Sequence, residues 1–386
     1  MTRPGPPKVM IVAGESSGDI HGAALVEAVR QKGRDWRFFG LGGDLMAAAG
    51  VRLLGHINET AVMGLVEVLG ALRRLLAVRA RFKRALELER PDLVVLIDAP
   101  DFNLPLARHA HSLGVPVVYY ICPSVWAWRS GRLRTLAACA RRRVVLFPFE
   151  KKFYEARGVS ADWVGHPVLD GLPPERSAGE AKVLLGLDPD KPLAAILPGS
   201  RRPVLARLAP VFFEAADRLL ERAPDLSLAL PRAATIEPGF LESFLARASV
   251  RVRRRILVTP GRSREILAAA DLALVASGTA SVEAMFLGTP QVVAYKIHPL
   301  SWAIVRRLVR LPYVSIANLV AGREIVPELL QDQATAQALA DLAWPLLADP
   351  GAAARARADL ASARSSLGVT GASARVADIL AEELGR

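Results

Sequence analysis

The sequence predicts an α/β protein built from two doubly wound parallel-sheet domains with a cleft between them and a helical C-terminal tail. Three observations predict it. Short apolar runs alternate with helical stretches twice over, before and after a segment at 172–179 that carries Pro173, Pro174 and Gly179. The 386 residues suffice for two domains of ordinary size. A composition of 52% hydrophobic and 23% charged residues supplies sizeable cores and argues against wholesale disorder.

The elements follow in order. In the first domain the strand candidates are Val9–Ala13, Arg37–Leu41, Leu93–Ile97, Val115–Tyr120, Arg143–Phe147 and Trp163–Gly165. Helices are expected at Gly22–Gln31, Met63–Leu86, Asn103–Leu113 and Lys151–Ala156. In the second domain the strand candidates are Leu193–Leu197, Leu226–Leu230, Ile256–Thr259, Leu272–Ala276 and Gln291–Tyr295. Helices are expected there at Leu208–Arg222, Phe240–Arg247, Ser263–Ala269 and Ala280–Leu287. From Ala334 the chain is rich in Ala, Leu and Arg and reads as helical throughout. The expected domains are 1–172, 180–340 and a tail at 341–386 that packs back on the first domain or is exchanged in a dimer.

Composition narrows the function. Two cysteines, Cys122 and Cys139, cannot form a disulfide framework and suit a cytosolic protein. No signal-peptide hydrophobic region precedes the first strand, and Val9–Ala13 falls far short of the roughly 20 residues of a membrane span. A cytoplasmic chain is expected. The net charge of +12 favours nucleic acids, anionic membranes or phosphorylated substrates without choosing among them.

Six stretches carry candidate chemistry. Ser277-Gly278-Thr279-Ala280-Ser281-Val282-Glu283 lies between two apolar runs and reads strand, small-residue turn, helix. Such a turn leaves helix amides and a positive dipole end facing an anion, so it suits a nucleotide diphosphate. Glu283, about one turn in, is placed to accept from a sugar diol. Leu197-Pro198-Gly199-Ser200-Arg201 offers a second close approach: Gly199 admits the ligand, and Ser200 and Arg201 reach phosphate oxygens. Gly14-Glu15-Ser16-Ser17-Gly18-Asp19 fits neither a dinucleotide fingerprint nor a P-loop, yet its polar residues exceed what a turn needs; Asp19 as a helix cap is the plain alternative.

Ile97-Asp98-Ala99-Pro100-Asp101-Phe102-Asn103 follows a buried strand. Asp98 emerges at its carboxyl end, where a partly desolvated carboxylate works as a general base toward a hydroxyl. Asp101 or Asn103 then caps the following helix. Trp126 and Trp128, in the loop from Tyr119 to Arg129, wall a sugar or acyl site or pack under the loop. Finally, helical spacing sets Val62, Leu65, Val66, Leu69, Leu72 and Leu76 on one stripe, which Val68 and Leu75 widen. With the basic residues from Arg73 to Arg84 it fits a helix touching acyl chains or an anionic membrane, or a core helix with a solvated basic end. His109 and His111, two apart on a helix, make a poor metal pair, and no metal site is expected.

Taken together, these residues resemble the lipid-A-disaccharide synthases, bacterial glycosyltransferases of GT-B architecture. The likeness runs nearly end to end. It is carried by Ala13–Asp19, Gly40–Gly43, Met63–Leu69, Ile97–Asn103, Pro123–Trp128, Phe147–Glu150 and Gly165–Pro167. The second domain adds Leu197–Arg201, Ser277–Glu283, Tyr295-Lys296, Asn318 and Val326–Gln331.

The resemblance implies an inverting, metal-independent and cofactor-free transfer from UDP-2,3-diacylglucosamine to 2,3-diacylglucosamine 1-phosphate, giving a β-1,6 disaccharide 1-phosphate and UDP. It implies that Asp98, Arg201 and Asn318 are catalytic. The donor would meet Gly199, Ser200, Arg201, Ser277, Gly278, Thr279, Ala280 and Glu283. The acceptor side would comprise Glu15, Ser16, Ser17, Asp101, Asn103, Trp126 and Trp128. It also implies a peripheral place on the inner face of the inner membrane, a homodimer with exchanged C-terminal segments, and no nucleic-acid partner. One position departs from the family: Val204 stands where a Glu is usual, after Arg202 and Pro203, so the helix there is expected to begin later or differently. Alternatives are another GT-B enzyme, a polyprenyl-linked GlcNAc transferase or a UDP-GlcNAc 2-epimerase, and a basic nucleic-acid-binding protein on the same scaffold.

Overall fold

Continuous apolar runs become buried parallel strands. The computed structural model describes residues 5–60, 68–127, 129–174, 176–308 and 311–385. They fall into two units, Met1–Asp170 with Leu367–Arg386, and Gly171–Ser366.

In the first unit the described strands are β1 (Lys8–Ala13), β2 (Arg37–Gly42), β3 (Arg52–His56), β4 (Leu93–Ile97), β5 (Val117–Tyr120), β6 (Arg142–Val145) and β7 (Asp162–Trp163). They form one parallel sheet in the order β3-β2-β1-β4-β5-β6-β7. β1 and β4, side by side at its centre, are almost wholly apolar because helices cover both faces. Phe82, Leu86, Phe102, Leu106 and Tyr154 pack over one of those faces.

The second unit repeats the plan with β8 (Leu193–Leu197), β9 (Ser227–Arg232), β10 (Ile256–Pro260), β11 (Leu272–Ala276), β12 (Gln291–Tyr295) and β13 (Glu328–Leu330), in the order β10-β9-β8-β11-β12-β13. In each unit the strand order reverses beside the first strand, between β1 and β4 and between β8 and β11. Open α/β sheets bind ligands beyond the carboxyl ends of the strands at that point.

Several elements differ from expectation. β3 and β13 are partly exposed edge strands with Gly55 in one and only three residues in the other. The helix Ala178–Leu184 begins inside the segment read as a linker, where Ser177 and Glu180 cap it reciprocally. The helix expected to start at Leu208 starts at Arg202. Pro203 falls in its first turn, where a missing N–H costs nothing, so the prolines do not delay it. The tail is three helices, Ala336–Ala348, Pro350–Ser365 and Ala372–Leu384, broken at Pro350 and again at Gly368 and Gly371.

The last of these helices packs on Ser16–Gln31 in the first unit. The Asp170 carboxylate accepts from the amides of Gly371, Ala372 and Ser373 at its N-terminus. Lys32 and Arg34 grip Asp378, and Arg142 pairs with Glu382.

Candidate active site

The site begins where β1 and β4 end. Asp98 and Ala99 have φ of 47° and 42°, two successive non-glycine residues in the left-handed region. Such backbone costs on the order of 1–3 kcal/mol per residue and persists only where its surroundings impose it. Here they do. Tyr119 donates its hydroxyl to the Asp98 carbonyl at 2.7 Å, and Asn103 Nδ2 donates to the same carbonyl at 2.8 Å and to that of Ile97 at 3.0 Å. Gly14 lies so close behind that a Cβ there would sit 2.6 Å from the Ala99 Cβ. The turn thus presents Asp98, half-buried, beside the loop that opens with Gly14.

Within that loop Glu15 and Ser16 are exposed and Ser17 is half-buried. Asp19 is spoken for. Its carboxylate accepts from the amides of Gly43, Leu45 and Met46 and anchors the short helix Asp44–Ala48 rather than its own. Neither Asp101 nor Asn103 caps the helix Pro100–Ser112, whose N-cap is Ala99 with no side-chain cap. Asn103 is fully buried and braces the Asp98 turn instead. Asp101 is exposed and pairs with Arg129 and Arg132.

Trp126 is bolted down. Its Nε1 donates to Glu150 at 2.9 Å, and its ring meets Phe149 edge-on at 4.9 Å. Phe149 stacks on Phe147, which touches the His166 ring. Packing under the loop therefore accounts for Trp126, and Trp128 lies outside the described residues. Burial pushes the Glu150 carboxyl up to about 7, against the donors Trp126, Phe147 and Leu146, with the Asp98 charge adding to the rise.

A raised carboxyl makes the folded state bind the proton more tightly than the unfolded chain does. The stability it contributes is full below pH 4.5 and is lost as pH rises to about 7. Relative to wild type, Glu150→Gln should therefore gain roughly 3 kcal/mol between those limits. Denaturant unfolding at pH 5, 6, 7 and 8 measures it. A wild-type-minus-variant difference that stays flat contradicts the assignment.

In the second unit the turns after β8 and β11 flank the other switch point. Gly199 has φ 117°, and a Cβ on it would meet Val204 Cγ1 at 2.8 Å. Val204 thus packs against the turn it follows. Ser200 and Arg201 are exposed. Arg201 lies near the Tyr295 phenol, which burial raises and the Arg201 charge draws back. Arg202 turns away to Glu237 and the Phe240 ring.

After β11, Ser277 is half-buried, Gly278 and Thr279 are exposed, and Ala280 is half-buried at the head of the helix Thr279–Leu287. The first amides of that helix have no intrahelical acceptor. Glu283, buried, accepts from Arg264 Nε at 2.8 Å and from Ser263 Oγ at 3.3 Å, while Arg264 also donates to the Gly171 carbonyl. Ser263 and Arg264 escape sequence reasoning because helix packing, not spacing, brings them to Glu283.

Asn318 is fully buried. Its Oδ1 accepts from the amides of Ile325 and Val326, and its Nδ2 donates to the Val326 carbonyl. Glu328 in turn accepts from the amides of Val314 and Ser315. Asn318 therefore shapes the 314–328 stretch through its backbone.

Of the apolar stripe, Val62, Leu65 and Val66 lie outside the described residues. Val68, Leu69 and Leu72 fall in the helix Val68–Glu89. Leu75 packs against the core with Val78, Phe82 and Leu86, whereas Leu76 is 44% exposed on another face beside exposed Arg73 and Arg74. Among the described residues no helix is long and apolar enough to cross a membrane. Among them, too, no three His, Cys, Asp or Glu side chains are grouped to hold a metal ion.

Two doubly wound parallel-sheet units, each with a polar turn at its switch point, make the GT-B architecture shared by glycosyltransferases and sugar epimerases. The fold matches the S. aureus MnaA-UDP co-structure, with TM-score 0.68 and 15% identity over 98% of this chain and 97% of that one. It also matches the calicheamicin glycosyltransferase CalG4, with TM-score 0.59 and 18% identity over 99% of each chain. At these identities the likeness speaks for the fold alone. The sequence is more specific. The family model described as Lipid-A-disaccharide synthetase matches residues 9–376. The Lipid-A-disaccharide synthase of Geobacter sulfurreducens is 42% identical over 379 residues, 98% of each chain. The chain belongs to the lipid-A-disaccharide synthase family.

Proposed function

We propose that the chain transfers 2,3-diacylglucosamine from UDP-2,3-diacylglucosamine to the 6-hydroxyl of 2,3-diacylglucosamine 1-phosphate, with inversion, giving a β-1,6 disaccharide 1-phosphate and UDP. The observation that carries this reading is the placement of the family's polar turns at both switch points, with Asp98 held in left-handed backbone at the first.

Asp98 takes the proton of the acceptor 6-hydroxyl. The oxygen attacks the anomeric carbon from the face opposite UDP, and the bond to the β-phosphate oxygen breaks. The charge that develops on UDP is met by Arg201 and the amides at the head of Thr279–Leu287. Glu283, aimed by Arg264 and Ser263, accepts from the ribose diol. Glu15, Ser16 and Ser17 contact the acceptor. Tyr119, Asn103 and Asn318 position rather than touch substrate.

Both substrates carry acyl chains. The face bearing Leu76, with Arg73 and Arg74 beside it, serves contact with those chains and with anionic lipid at the inner face of the inner membrane. Exchange of Ala372–Leu384 between two copies would reuse the contacts that helix makes with Lys32, Arg34 and Arg142.

Glu283→Gln is expected to weaken UDP binding about 10- to 100-fold, the loss of a charge-assisted hydrogen bond. Calorimetric titration with UDP measures this, and an unchanged affinity contradicts the ribose assignment. The reaction itself is tested by the product. Proton NMR of the disaccharide should show a β anomeric linkage to C6 of the acceptor. An α linkage, or attachment at another carbon, would refute it.

A further inference from the structure

The helix that starts two residues after Asp98 borders a cavity of about 300 Å³ in the first unit. Its wall includes Asp101, Pro105, Arg108, Arg129, Arg132 and Thr135. The wall thus carries three guanidinium groups and one carboxylate, and two of the three meet that carboxylate. Arg129 Nη1 lies 3.0 Å from the Asp101 carboxylate, Arg132 Nη2 touches the same oxygen, and Arg79 donates to the Asp101 carbonyl at 3.4 Å. Arg108 donates to the Thr135 hydroxyl at 2.7 Å. The Arg132 side chain is only 14% exposed, and the Asp101 carboxylate that it meets is 72% exposed.

A surface ion pair needs no such convergence, and the charged residues of the wall are three arginines and one aspartate. Planar guanidinium forks match the oxygens of a phosphate monoester. The volume lies at the small end of ligand pockets, so it suits a phosphate and part of a sugar, not a lipid tail. The wall also includes Pro100, two residues after Asp98. Tyr119, which holds the Asp98 carbonyl, feels the charges of Asp98, Arg132 and Asp101 alike.

We propose that this cavity seats the phosphate monoester of the acceptor, held by Arg108, Arg129 and Arg132, with Asp101 orienting the latter two. The inference rests on the synthase reading and adds to it the place of the acceptor phosphate. One end of the sugar is fixed by charge in the first unit, and the hydroxyl at its other end is thereby brought to Asp98. Selection of a phosphorylated acceptor follows from the same three arginines.

The test is steady-state kinetics in neutral detergent micelles for wild type, Arg108→Gln, Arg132→Gln and Arg132→Lys. Two acceptors are compared: 2,3-diacylglucosamine 1-phosphate and the same sugar with a free anomeric hydroxyl. Each Gln variant should raise the KM of the phosphorylated acceptor about 10- to 100-fold, as expected for a lost charge-assisted hydrogen bond. The donor KM and the KM of the unphosphorylated acceptor should change little, so the preference for phosphate collapses. Arg132→Lys should recover part of it.

Variants that turn over yet keep the wild-type preference overturn the proposal. So does intact micelle kinetics with weakened binding to phosphatidylglycerol vesicles, which would assign the cavity to a lipid headgroup. Wild type that uses neither acceptor overturns the synthase reading instead. Arg108 is exposed, so its variant keeps the test alive if Arg132→Gln fails to fold.

Discussion

Asp98→Asn should lower kcat by about 10³-fold while leaving both KM values within a few-fold of wild type. The reasoning separates the turn from the carboxylate. Tyr119 and Asn103 hold the backbone carbonyl of Asp98, and Gly14 gives Ala99 its room, so the left-handed turn does not depend on the charge. The variant should therefore fold with a melting temperature close to wild type and bind UDP as tightly. What it loses is the acceptor of the hydroxyl proton. Rates of UDP release at saturating donor, together with thermal unfolding, measure both halves. A variant that keeps a tenth or more of wild-type kcat would remove Asp98 from the role of base.

Gly40→Ala should abolish folding. Gly40 lies in β2 with φ 155°, opposite Ile11 in β1, and a Cβ there would sit 1.8 Å from the Ile11 carbonyl oxygen. That contact is with backbone at the centre of the sheet, so no side chain can swing away from it. The expected loss exceeds roughly 4 kcal/mol, a large share of the stability of an ordinary domain. Gly33→Ala is the control: φ is also positive there, 71°, yet a Cβ meets nothing within 4 Å. Its cost should be only the ~1–2 kcal/mol of left-handed backbone. Circular dichroism and denaturant titration of the two variants separate the effects. A folded Gly40→Ala of near wild-type stability would contradict the register of β1 against β2.

Much of this architecture is legible in the sequence because the central strands are buried on both faces. Val9–Ala13, Leu93–Ile97, Leu193–Leu197 and Leu272–Ala276 are unbroken apolar runs and appear as strands within a residue or so. Edges carry less signal: β3 and β13 are short, partly exposed and interrupted by polar residues or glycine. The first residues of the helix Arg202–Arg222 are hidden by Pro203, which reads as a breaker although it sits in the first turn.

At the site, Asp98 stands out as an acid at the end of a buried run. The clamp on it does not, because Tyr119 reaches it only through the pairing of β4 with β5. The same holds for Arg264 and Glu283, 19 residues apart, and for the arginines gathered around Asp101 from two other stretches of chain. Spacing marks residues on one element. It does not mark residues that meet because two elements pack.

The central claim is a sugar transfer to a lipid acceptor, and UDP release tests it most directly. Purified protein is given UDP-2,3-diacylglucosamine in dispersed lipid and EDTA, with and without 2,3-diacylglucosamine 1-phosphate. Release should depend on the acceptor and be lost in Asp98→Asn. No release by wild type, or equal release without acceptor, would contradict the claim.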